Sequence, residues 1–157
     1  MKNLFLFLFI LASFGFARAQ ATIDVKQYTN HENGLALEGF DAVSYFSGNP
    51  VEGKSTFSFT HLGIRYQFSN KKNLDTFKID PEKYIPVYGG WCAYAMADSG
   101  TLVSVDPKTY KIVNGKLYLF YNQYFNNTLK KWNRKESEYL KSAQLNWKKY
   151  IKSIRHE

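Results

Sequence analysis

Two alternating runs joined by Asn114-Gly115 constrain this chain more than any other stretch of it. Tyr110-Lys111-Ile112-Val113 and Lys116-Leu117-Tyr118-Leu119-Phe120 both carry strand-forming residues, and Asn-Gly suits the tight two-residue turn in which both residues adopt positive φ. The pattern predicts a β-hairpin. A second follows from Thr56-Phe57-Ser58-Phe59-Thr60 and Ile64-Arg65-Tyr66-Gln67-Phe68, which alternate on either side of the break Leu62-Gly63 and put their aromatic residues on one face. Ala36 to Phe46 is also rich in strand formers, is interrupted by Gly39 and ends in the turn residues Ser47-Gly48-Asn49-Pro50, so it reads as a further strand. Residues 20–34 read as an extended lead-in.

Helical signals fall between and after these runs. Ser69 suits the cap of a helix with Leu74 and Phe77 inward that stops near Asp80-Pro81. Gly89-Gly90 precedes Trp91-Cys92-Ala93-Tyr94-Ala95-Met96-Ala97, which Gly100 closes; this predicts a short buried helix with Cys92 in its first turn. Asn133 followed by Glu136 resembles a capping box. After it Tyr139, Ala143, Trp147, Tyr150 and Ile154 recur at the helical spacing of one apolar stripe. With no internal repeat or linker, the expectation is a single α+β domain: a small antiparallel sheet, helices packed on it, and an amphipathic C-terminal helix.

The first segment reads as a leader. One positive residue, Lys2, precedes the apolar run Leu4–Phe16, and Ala17-Arg18-Ala19 offers a small-x-small cleavage pattern. The run is too short for a bilayer span of about 20 residues. Residues 1–19 are therefore expected to be a signal peptide, residues 20–157 the mature domain, and the location periplasmic or secreted. The formal charge of +8 for the full chain becomes +6 without Lys2 and Arg18. Residues 20–127 hold 10 basic and 10 acidic residues, so 128–157, with 9 basic and 3 acidic, carries all of it. Export and this localisation argue against a nucleic-acid partner. The basic flank of the last helix suits an anionic envelope surface.

One cysteine in 157 residues excludes an intramolecular disulfide and a Cys-rich zinc site. In an exported protein a lone thiol is a candidate site, and at a helix start Cys92 would have a lowered thiol pKa; the alternative is a small buried hydrophobe. His31, His61 and His156 show no ligand spacing to one another or to Cys92. Asp41, Asp98 and Asp106 could act as acid or base, although Asp106-Pro107 and Asp80-Pro81 read first as turn residues. Asn126-Asn127-Thr128 is a glycosylation sequon. No catalytic triad, phosphate loop or HExxH pattern is present.

Gly39-Phe40-Asp41-Ala42-Val43-Ser44-Tyr45-Phe46, Tyr66-Gln67-Phe68-Ser69-Asn70, Asp80-Pro81-Glu82-Lys83-Tyr84, Tyr88-Gly89-Gly90-Trp91-Cys92-Ala93 and Gly115-Lys116-Leu117-Tyr118-Leu119 resemble, in order and spacing, the exported YHS-domain proteins of bacteria. Other YHS domains are metal-binding modules of heavy-metal transporters, and the resemblance places their three cysteines at Ser44, Ser69 and Asn73. Hydroxyl and amide groups are poor ligands for copper or zinc, so that metal site does not carry over. The exported branch places its single Cys in the motif matched by Tyr88 to Ala93, and some of its members are selenoproteins, which implies a redox or ligand role for Cys92.

Three readings follow. The first is a binding or sensing module centred on Cys92, with Tyr88 and Tyr94 as ligand-binding neighbours or His61 as a second metal ligand, taking a small ligand or a transition metal such as copper or zinc. The second is a thiol-dependent redox enzyme with Cys92 as nucleophile. The third is an interaction domain in which Cys92 is core. The missing resolving cysteine ranks binding above enzyme.

Overall fold

The computed structural model describes residues 23–155; the expected signal peptide, residues 1–19, and His156 lie outside them. A four-stranded sheet runs in the order β1 (His31–Glu32), β2 (Leu35–Ala36), β4 (Ile64–Phe68), β3 (Lys54–His61). Its β1–β2 and β3–β4 pairs are antiparallel, and β2 pairs parallel with β4 through Leu35 and Arg65. That parallel pair departs from the all-antiparallel expectation, while the α+β class holds. Leu62 and Gly63, at φ 48° and 81°, turn β3 into β4, and Phe59 pairs with Tyr66.

After β4 come α1 (Lys71–Ile79), α2 (Pro81–Tyr84) and α3 (Ala93–Asp98). Next is the hairpin β5 (Asp106–Val113) and β6 (Lys116–Phe120), which turns at Asn114 and Gly115, both at positive φ. A small ribbon, β7 (Asn122–Gln123) with β8 (Asn126–Asn127), leads into α4 (Thr128–Trp132) and α5 (Glu136–Ile154).

Two apolar clusters hold these elements. The first packs Ile64, Tyr66, Phe68 and Phe77 with Cys92, Leu117 and Leu119. The second packs Met96 and Ala97 of α3 with Phe120, Trp132 and Ala143 of α5. The outer helix is also tied by hydrogen bonds, since Asn146 Nδ2 donates to Met96 O at 2.9 Å. The stripe read from Tyr139 to Ile154 is thus the docked face, with Ala143 buried and Lys141, Lys148, Lys149 and Lys152 exposed.

Four local expectations are corrected. Ala36–Phe46 is not a strand beyond Ala36: Leu37, Glu38 and Gly39 turn the chain at φ 57°, 52° and 85°, and a second turn spans Ser44–Ser47. The Asp41 side chain takes the amides of Val43 and Ser44, offering this backbone an alternative to a ladder. Asn70, one residue past Ser69, caps α1 by accepting from Asn73 N. Asn133 closes α4 rather than capping α5, whose first residue is Glu136. Lys111 Nζ donates to Asn133 Oδ1 and, in an ion pair, to Glu136, so the capping-box residues serve a tertiary contact. The fourth correction concerns Cys92, which precedes α3 instead of lying in its first turn.

Candidate functional site

Cys92 is fixed by its backbone. Its N–H donates to Val103 O at 2.9 Å, its C=O accepts from Met96 N at 3.0 Å, and it forms a bridge with Leu119 at the end of the β5–β6 hairpin. The Gly-Gly that precedes it is needed for a close approach. A Cβ on Gly89, whose φ is +62°, would fall 2.1 Å from Tyr28 O; this is impossible without moving the chain. Asn30 N donates to Gly89 O at 2.8 Å, and Trp91 Nε1 donates to Tyr28 O at 3.0 Å. The Tyr88–Cys92 stretch is therefore clamped to the segment before β1.

The Cys92 side chain is fully buried. Sγ accepts from Tyr121 N at 3.3 Å and lies 3.5 Å from Thr128 Oγ1. The Thr128 hydroxyl donates to Tyr121 O at 2.8 Å. Its one proton is thereby spent, which leaves its oxygen to receive the thiol S–H. Cys92 also borders a recess of about 300 Å³, with Tyr94, Asp98, Ser99, Thr101 and Asn126 on its walls. Tyr94 packs edge-on to Tyr139 with ring centres 5.3 Å apart, and Lys131 Nζ sits 5.6 Å over its ring. Desolvation, with the Asp98 carboxylate adding to it, pushes the Tyr94 phenol above its ordinary pKa. At neutral pH the wall thus presents a phenol O–H beside aliphatic hydroxyls, the Asp98 carboxylate and the Asn126 amide.

Of the residues singled out from the sequence, Cys92 and Tyr94 share this recess. Tyr88 does not line it: at φ 56° it points into the second cluster, 6.0 Å from the Tyr118 ring and 5.9 Å from Trp147. Burial pushes the Tyr88 phenol up, with Tyr118 adding to the shift. His61 ends β3, contacts Glu82 at 3.1 Å and meets Phe77 edge-on. Its partners differ from those of Cys92, because the hairpin tip carries it toward α1 and α2. His31 sits in β1, where Nδ1 accepts from Gly34 N at 3.1 Å.

Among the described residues no group of three or more His, Cys, Asp and Glu could hold a metal ion. Around Cys92 the donors are one thiol, the Asp98 carboxylate, the Asn126 amide and several hydroxyls; with no imidazole and a single sulfur they fall short of the nitrogen- and sulfur-rich sets of copper or zinc.

Asp41 and Asp106 are committed to structure. Asp106 accepts from Lys108 N, Thr109 Oγ1 and Asn122 Nδ2. Asp41, fully buried, accepts from Val43 N at 2.9 Å and Ser44 N at 3.3 Å through Oδ1. Its Oδ2 accepts from Ser69 N at 2.8 Å, Ser69 Oγ at 2.7 Å and Asn73 Nδ2 at 2.7 Å. Ser44, Ser69 and Asn73, the positions aligned above with the cysteines of metal-binding YHS domains, therefore meet at one carboxylate.

Sequence reading missed Tyr121 and Thr128 as partners of the thiol. A backbone N–H has no sequence signature, and Thr128 follows two polar residues in no periodic pattern. Comparison with family models, with curated proteins and with solved structures finds no match.

Proposed function

We propose that this chain is an exported, YHS-like small-ligand-binding module whose site is the recess beside Cys92. The observation that carries the reading is the one cysteine of the chain, buried beside a polar recess of hydroxyls, Asp98 and Asn126, with its sulfur bonded by Tyr121 N–H and Thr128. Such walls suit a small polar molecule that exchanges hydrogen bonds with Tyr94, Ser99, Thr101 and Asn126. The donor set supports an organic ligand over a copper or zinc ion. The convergence of Ser44, Ser69 and Asn73 on Asp41 supports the YHS resemblance, because it gives three separated positions a common place. A leader of the Leu4–Phe16 type supports export. The exposed lysines of α5 suit contact with an anionic envelope surface.

A nucleophilic enzyme gains less support: the sulfur is buried, both its hydrogen-bonding roles are filled, and no second cysteine is present to resolve an oxidised form.

Native mass spectrometry of protein purified from its own compartment tests the proposal. The parent is expected to carry a bound small organic molecule and no stoichiometric metal. Thr101→Trp, a substitution at an exposed wall position, should abolish the bound mass without altering the circular dichroism spectrum. An empty parent, or equal occupancy in both proteins, contradicts the proposal.

A further inference from the structure

A second depression, a cleft of about 480 Å³, lies between the β1–β2 hairpin, β4 and the Gly89-Gly90 turn, and it shares no lining residue with the recess beside Cys92. Its wall carries charges of both signs. Arg65 on β4 and Glu32 and Glu38 on the opposite segment line it, and none of the three forms a salt bridge or side-chain hydrogen bond among the described residues. Leu35 and Ile85, both half-buried, add apolar surface to the lining.

The backbone around this cleft is strained in a way the turns of the molecule do not require. Of the non-glycine residues at positive φ, Asn33, Leu62, Asn114, Tyr124 and Phe125 sit in two-residue hairpin turns. The other three are Leu37, Glu38 and Tyr88. Leu37 and Glu38 line the cleft, and Tyr88 precedes Gly89, which also lines it. A left-handed non-glycine residue costs about 1–2 kcal/mol, and such strain gathers where a chain positions groups for binding.

We propose that this cleft binds an apolar α-amino acid as a zwitterion. Its carboxylate is received by the Arg65 guanidinium, its ammonium by Glu38, and its side chain by Leu35 and Ile85. The cavity falls in the volume range of small-molecule sites, about 300–1,000 Å³. Partial desolvation, with Asp106 and Glu32 nearby, raises the pKa of the largely exposed Glu38; a bound ammonium group offsets that unfavourable environment.

Isothermal titration calorimetry of the full mature protein with leucine, N-acetyl-leucine and leucinamide tests this. Leucine is expected to saturate one site. The two capped analogues, each lacking one charge, are expected to bind about tenfold more weakly, the loss of one hydrogen bond to a charged group. Glu38→Gln should remove the preference for leucine over N-acetyl-leucine, and Arg65→Gln the preference over leucinamide. Both residues are exposed, so both variants keep the fold. Absence of saturable leucine binding overturns the proposal, as does a preference for the zwitterion that survives both substitutions.

Discussion

Asp41 shows how one side chain can organise a region that propensity misreads. Five donors from two separated segments meet its two oxygens, and a buried donor left without its acceptor costs about 1–3 kcal/mol. Asp41→Ala is therefore expected to lower unfolding free energy in urea by about 3 kcal/mol or more, with Ser69→Ala losing only about 1 kcal/mol. A loss for Asp41→Ala no larger than that for Ser69→Ala would count against the hub. Glu38 makes the opposite prediction. Desolvation and the carboxylates of Asp106 and Glu32 raise its folded pKa, so the folded state holds its proton more tightly than the unfolded chain does. Stability then falls as pH rises from the ordinary glutamate range through the raised folded value. Glu38→Gln should match the parent in melting temperature below that window and exceed it above. Equal melting temperatures on both sides would contradict the assigned environment. Neither role was legible in the sequence, because Asp41 and Glu38 lie in a stretch whose composition reads as strand. Leu37, Glu38 and Gly39 turn instead, and only tertiary partners reveal why.

At the scale of elements, sequence pattern worked where local and tertiary preferences agree. Asn114-Gly115 meets the backbone demand of its turn, and the stripe of α5 meets the apolar face of α3. It failed by one to three residues at helix ends, where Asn70 replaces Ser69 and Glu136 serves Lys111 and Trp132 rather than a cap. The β7–β8 turn offers a test in the other direction. Tyr124 and Phe125 occupy it at φ 49° and 62° and are almost wholly solvent-exposed, so two aromatic side chains hold a conformation suited to Asn-Gly. Replacing Tyr124 and Phe125 together by Asn and Gly should stabilise the protein by about 1–2 kcal/mol in urea unfolding. A loss of stability would show that the rings make contacts that outweigh the strain.

Across the whole molecule, two depressions with no common residue flank the clamped Tyr88–Cys92 segment. Sequence reading found the thiol and its neighbour Tyr94, because a lone cysteine behind Gly-Gly is visible in one dimension. It gathered Tyr88 and His61 with them because proximity to a motif and position at a hairpin tip do not say which way a side chain faces. The larger cleft was invisible for the same reason: its walls come from β1, β2, β4 and the Gly89-Gly90 turn. The central claim is that the recess beside the buried Cys92 holds a small polar molecule. Amide NMR spectra of the protein as purified, and again after unfolding, dialysis and refolding, test it most directly. The account predicts that removing the molecule shifts the amide signals of Ser99, Thr101, Tyr121 and Asn126 and leaves those of the β3–β4 hairpin in place. Superimposable spectra at all of these residues would contradict it.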